Sequence, residues 1–94
     1  GAELAERVVA LVLERDRLTA ALRAQGWLLP DTQANFVWFP VGDRAPALAA
    51  AFDAAGLAVR PYATDGVRAT IGEPEAGDRL LEVAAAFGPP DPNG

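Results

Sequence analysis

Arg60 and Arg68 are the residues of this chain best placed to do chemistry, and that chemistry is the recognition of anions. Both lie in Ala58-Val-Arg-Pro-Tyr-Ala-Thr-Asp-Gly-Val-Arg-Ala-Thr-Ile-Gly72, which reads as two short strands joined by a tight turn. Val67, Ala69 and Ile71 alternate with Arg68 and Thr70, the period-2 pattern of a half-buried strand. Before the turn, Val59 and Pro61 point one way and Arg60 and Tyr62 the other. Thr64-Asp65-Gly66 between them is hairpin chemistry, with Gly66 free to take a positive φ. The two arginines are thereby expected close together on one sheet face. A guanidinium is a planar fork that suits carboxylates and phosphates. Thr70, Tyr62 and Asn35 complete the candidate set.

Reactive sets are excluded by residue type. Serine, cysteine and histidine are all absent, so no nucleophile triad, thiolate zinc site or imidazole base can be built. All eight cationic residues are arginine, so no lysine side chain is present to form a Schiff base with a carbonyl cofactor. Glu73 and Glu75 sit at a helix start, where capping is their expected role, and Gly72-Glu-Pro-Glu75 lacks the lysine and further glycines of a phosphate loop. No metal site is expected. The net charge of −5, without a basic stripe, argues against nucleic-acid or anionic-membrane partners. No apolar run is long enough to span a bilayer and no signal-peptide pattern is present, so the expected setting is cytoplasmic.

The elements that must position the arginines are legible in order. The 94 residues suffice for one small domain. Ala2 to Ala24 reads as one long helix with Leu4, Val8, Leu11, Leu18 and Leu22 on one side. Val9, Val12 and Leu13 widen that band, so its first half is expected to be buried on more than one side. Glu14, Arg15, Asp16, Arg17 and Arg23 belong to the wetter half. Gly26 and Trp27 are the natural glycine and apolar residue of the helix end. At ~1.5 Å per residue the helix is long for such a domain. It starts without a cap, and the chain has no methionine, so the expectation is a piece of something larger.

Asn35 to Val41 is a strand rich in aromatic and β-branched residues, apolar on both faces and expected to be covered on both. Asp43 is a candidate N-cap for a helix opening at Ala45 or Pro46, with Leu48, Ala51, Phe52 and Ala55 inward and Gly56 at its end. Pro74 opens the last helix, whose core stripe is Leu80, Leu81, Ala84 and Phe87. The fold class is therefore α+β: a long N-terminal helix, then β-α-β-β-α. The small mixed three-stranded sheet has the Gly66–Ile71 strand in the middle, antiparallel to the other two, and helices on one face. Residues 1–88 form the domain, and the proline- and glycine-rich residues 89–94 a flexible tail.

Three motifs occur in order: Gln33-Ala-Asn-Phe-Val-Trp-Phe39, Ala58-Val-Arg-Pro-Tyr62 and Gly66-Val-Arg-Ala-Thr-Ile-Gly-Glu-Pro-Glu75. Together they resemble the C-terminal small domain of the histidinol-phosphate and aromatic-amino-acid aminotransferases, fold-type I enzymes that use pyridoxal phosphate. The similarity runs from Ala2 to about Phe87. The Pro61–Gly66 turn leans toward the actinobacterial-type aromatic branch rather than the histidinol-phosphate one of histidine biosynthesis.

The resemblance implies that Arg68 grips the substrate α-carboxylate and that Arg60 approaches the phosphate of histidinol phosphate. It implies an intact parent, a homodimer, transferring an amino group between an aromatic amino acid or histidinol phosphate and a 2-oxo acid. The large domain of that parent supplies the catalytic and cofactor-binding residues. This fragment alone is expected to be inactive and to bind no pyridoxal 5'-phosphate. Taken without the resemblance, the residues leave open a free-standing α+β anion-binding or regulatory module, or a structural domain with solvated arginines.

Overall fold

The computed structural model describes residues 2–31 and 34–90. Gln33 of the first motif, and residues 91–94 of the expected tail, lie outside them. The alanine- and leucine-rich opening forms α1 (Ala2–Ala24), with the bounds expected from sequence. Its end is a Schellman turn at Gly26, which adopts φ 104°. The Trp27 N–H donates to Leu22 O and the Gly26 N–H to Arg23 O, each at 3.0 Å. The turn drops Trp27 into the core, where its ring meets Phe39 edge-on at 5.0 Å.

The remaining elements are β1 (Phe36–Phe39), a 3₁₀ turn at Gly42–Arg44, α2 (Ala45–Ala54), β2 (Val59–Tyr62), β3 (Gly66–Thr70) and α3 (Pro74–Phe87). The strand order is β1-β3-β2. β3 runs against both neighbours, as expected of a strand returning into the gap left by the α2 crossover. The sheet is mixed only in that β1 and β2 share a direction, since each hydrogen-bonded ladder is antiparallel.

One sheet face is closed. Val37, Phe39, Val67 and Ala69 point into a core shared with Leu18 and Leu22 of α1, Leu48 and Phe52 of α2, and Leu80 and Ala84 of α3. Burial of that face drives the sheet onto the helices, at about 25 cal/mol per Å² of apolar surface. The other face of β1 is not covered as expected. Phe36 and Trp38 remain half-buried, because no helix crosses that side.

Four local expectations need correction. Asp43 does not cap α2: the N-cap is Arg44, without a side-chain cap bond, and the 3₁₀ turn leads directly into the helix. The positive φ of the hairpin falls on Ala63 (39°) and not on Gly66, because the chain reverses at 63–65 with the Asp65 N–H donating to Tyr62 O at 2.7 Å. Glu14 is buried rather than wet, held by Arg17. Lastly, the first half of α1 is not buried within this domain. Leu4, Val8, Val9 and Leu13 are all more than half exposed, since that half projects past the sheet and gives the molecule its 48 Å long axis.

Candidate functional site

Strand register builds the site. Arg68 on the central strand is paired with Trp38 on one side and Arg60 on the other. Two residues along β3 in one direction Thr70 lies opposite Phe36, and two in the other Gly66 lies opposite Tyr62. The alternation of strand side chains puts all of these on the face away from the core. Arg60, Arg68, Tyr62 and Thr70 are therefore brought together as the sequence suggested. Asn35 is not: it stands just before β1, exposed, with its carbonyl accepting the Ile71 N–H at 3.0 Å. Phe36 takes the place expected of it. Phe36 and Trp38 were missed because their strand was read as covered on both sides. No local signal separates them from core residues, because all four residues of β1 are apolar.

Two like charges directly opposite on a sheet repel each other, and no carboxylate among the described residues pairs with either. Arg17, Arg23, Arg44 and Arg79 donate to carboxylates or carbonyls, and Arg15 pairs with Asp16. Arg60 and Arg68 instead meet rings. The Arg60 guanidinium lies 5.3 Å from the Tyr62 centroid. That of Arg68 lies 5.7 Å from Tyr62 and 5.5 Å from Phe36. Contacts of this length are cation–π interactions, worth about 0.5–2 kcal/mol each. They occupy guanidinium carbon and ring faces and leave the N–H fork open, so the face can receive a planar anion. Among the described residues it holds no carboxylate, imidazole, amine or thiol.

A second polar cluster joins α1 to α3. Arg17 donates through Nε and Nη2 to the two oxygens of Glu14 at 2.6 and 2.8 Å, and through Nη1 to Asp78 at 3.0 Å. Its Nη2 also reaches the Pro74 carbonyl at 3.2 Å. The Glu14 hydrogen bonds, opposed by burial and aided by Asp78, raise the Arg17 pKa above the usual guanidinium range. Beside the cluster, Arg7, Leu11, Glu14, Ile71, Glu73 and Pro74 line a groove of about 480 Å³. Four of the five Arg17 donors are spent on the cluster's own acceptors, so its role is to fix α3 on α1.

No group of acidic residues among those described could hold a metal ion, and no described helix is long and apolar enough to cross a membrane. The residues present do not fit pyridoxal phosphate. The chain has no lysine to bond its aldehyde, and the open face carries arginines, rings and one threonine with no carboxylate for a pyridine nitrogen.

No family model matches the chain. It is similar to the aromatic amino acid aminotransferase of Streptomyces avermitilis, with 55% identity over 85 residues, 90% of this chain and 24% of that protein. The enzymes of the same name from Thermobifida fusca and Nocardia farcinica match at 51% over 85 residues and 47% over 83, covering 24% and 23% of their lengths. The chain thus spans about a quarter of the length of the curated relatives it matches. Along nine-tenths of its own residues, it is homologous to one small domain's length of the aromatic amino acid aminotransferases.

Proposed function

We propose that this chain is the C-terminal small domain of a pyridoxal-phosphate-dependent aromatic amino acid aminotransferase, and that Arg68 holds the α-carboxylate of the substrate. The observation that carries the reading is the open guanidinium of Arg68. It stands on the uncovered face of the central strand, steadied by Phe36 and Tyr62, with no carboxylate among the described residues to occupy it. Two parallel N–H···O bonds from a guanidinium fix both position and plane of a carboxylate. The half-buried rings of Phe36, Trp38 and Tyr62 exclude water around that contact and offer apolar surface to an aromatic side chain.

The cofactor and its lysine belong, in this reading, to a large domain packed against the exposed apolar side of α1. The intact parent is a cytoplasmic homodimer, and this domain alone is inactive. Arg60 serves substrates with a second anionic group, the phosphate of histidinol phosphate included. The Tyr62 ring beside it, and the names of the relatives, favour aromatic amino acids as the main substrates.

The test is steady-state kinetics of the intact parent with phenylalanine, histidinol phosphate and 2-oxoglutarate. Arg68→Lys keeps the charge and loses the fork. It should weaken every substrate by about 1.5–3 kcal/mol in kcat/KM, the range of a hydrogen bond to a charged group. Arg60→Lys should act mainly on histidinol phosphate. If Arg68→Lys leaves all three substrates unaffected, or unfolds the domain, Arg68 is structural and the reading fails.

A further inference from the structure

We propose that Tyr62 is a positioning residue for both arginines: its ring, braced by Trp38, holds the two guanidinium groups without using any of their hydrogen-bond donors. The inference rests on the reading that Arg68 receives a carboxylate, and goes beyond it by naming what keeps Arg68 ready.

Four observations converge. First, among the described residues Tyr62 is the one whose ring meets both guanidinium groups, at 5.3 Å from Arg60 and 5.7 Å from Arg68. Second, the Tyr62 ring is itself fixed. Trp38, across the central strand, meets it at 5.5 Å with the planes inclined at 62°, an edge-to-face contact. Third, that contact crosses β3 only because residue 66 has no side chain. Gly66 lies between the two rings in the sheet, paired with Tyr62, and a β-carbon there would stand 2.8 Å from Cζ2 of Trp38. Fourth, neither arginine side chain has a hydrogen-bond or ion-pair partner among the described residues, and Phe36 is the only other ring within reach, on Arg68 alone. Arg17, Arg23, Arg44 and Arg79 are instead held by carboxylates or carbonyls, which consume the donors they hold.

The physical logic is selective. A carboxylate beside Arg68 would hold it well and would also compete with the substrate for the same fork. An aromatic face attracts the cation through its quadrupole and leaves the in-plane N–H groups free. A ring that faces two like charges also offsets the repulsion that would otherwise splay Arg60 and Arg68 apart. Preorganisation of this kind strengthens anion binding by reducing what must be ordered when the ligand arrives.

The experiment uses the intact parent enzyme and two probes of the same shape, 3-phenylpropionate and the uncharged 3-phenylpropionamide, each titrated as a competitive inhibitor. Tyr62→Leu should weaken 3-phenylpropionate about tenfold more than it weakens the amide, since both probes use the ring as apolar surface and only the carboxylate needs the fork. Tyr62→Phe keeps the ring and should restore wild-type binding of both. The proposal is overturned if Tyr62→Leu binds 3-phenylpropionate like the wild type, if the two probes weaken alike, or if Tyr62→Phe loses as much as Tyr62→Leu. Should Tyr62→Leu not yield folded enzyme, Trp38→Leu decides. It removes the brace from the Tyr62 ring and leaves both arginines in place, so a selective loss for the carboxylate supports the proposal and equal effects on the two probes, or wild-type binding of both, overturn it. Arg68→Lys in the same titration separates the two ideas. If it weakens 3-phenylpropionate while the Tyr62 variants do not, the positioning role fails and the carboxylate reading stands. If it changes nothing, the carboxylate reading itself has failed.

Discussion

The indole of Trp38 lies over Gly66 so closely that a β-carbon at residue 66 would sit 2.8 Å from one ring carbon and 3.1 Å from the next. The same β-carbon would press on the Phe39 carbonyl oxygen, a backbone atom that cannot swing aside. The glycine is required for space, since its backbone is ordinary strand. Gly66→Ala should therefore destabilise the fold by about 2–3 kcal/mol, as overpacking of a fitted site does. Urea denaturation of the domain measures it. An alanine variant with an unchanged midpoint would mean that Trp38 can leave the sheet face freely.

Arg17 is the second position where one change should be costly. Glu14 is only 6% exposed, and both of its oxygens accept from Arg17. Arg17→Ala leaves a buried carboxylate without its partner and frees α3 from α1 at Asp78 and Pro74. The side chain of Arg17 is 40% exposed, which moderates the penalty. A loss of about 2–3 kcal/mol is expected, read by thermal or urea unfolding. Replacing Asp78 alone should cost less than about 1 kcal/mol, because that carboxylate is largely in water. Equal losses for the two would contradict the assignment of Glu14 as the buried member.

The exposed band of α1 predicts the behaviour of the isolated chain. Val9 and Leu13 line an apolar groove with Ala5, Glu6 and Ala10, on a side of the helix that the core does not use. Contiguous apolar surface of this kind seeks cover. The 94-residue chain should self-associate in sedimentation experiments. Val9→Glu with Leu13→Glu should render it monomeric while shifting stability by no more than about 0.5 kcal/mol, as exposed positions allow. A wild-type chain that is monomeric at high concentration would count against a domain packed on this face.

Much of this architecture is written locally. The bounds of α1 and its turn at Gly26–Trp27 follow from helical spacing and one glycine. The alternation from Val67 to Ile71 places Arg68 on the open face without reference to any other element. What escapes local reading depends on partners distant in the chain. Glu14 looks like a solvated acid until Asp78 and Pro74 arrive beside Arg17, on a helix near the other end. Gly66 looks like a turn glycine until register sets Trp38 over it. Phe36 and Trp38 look like core residues because a strand apolar on both sides reads the same whether its second side meets a helix or an open site. The substrate role proposed for Arg68 rests on motif resemblance. The residues alone specified an anion site and no reaction.

The central place of β3 also sets an order of assembly. Arg60 and Arg68 come together through a short turn between neighbouring strands, a closure with a small entropic cost. Trp38 and Phe36 reach the same face only when β1 docks on the far side of β3, after the whole of α2 has been folded over the sheet. Contacts so distant along the chain form slowly compared with a hairpin. The two charges thus meet early, in a ribbon with only the Tyr62 ring beside them. The wall that steadies them is added when the last ladder zips.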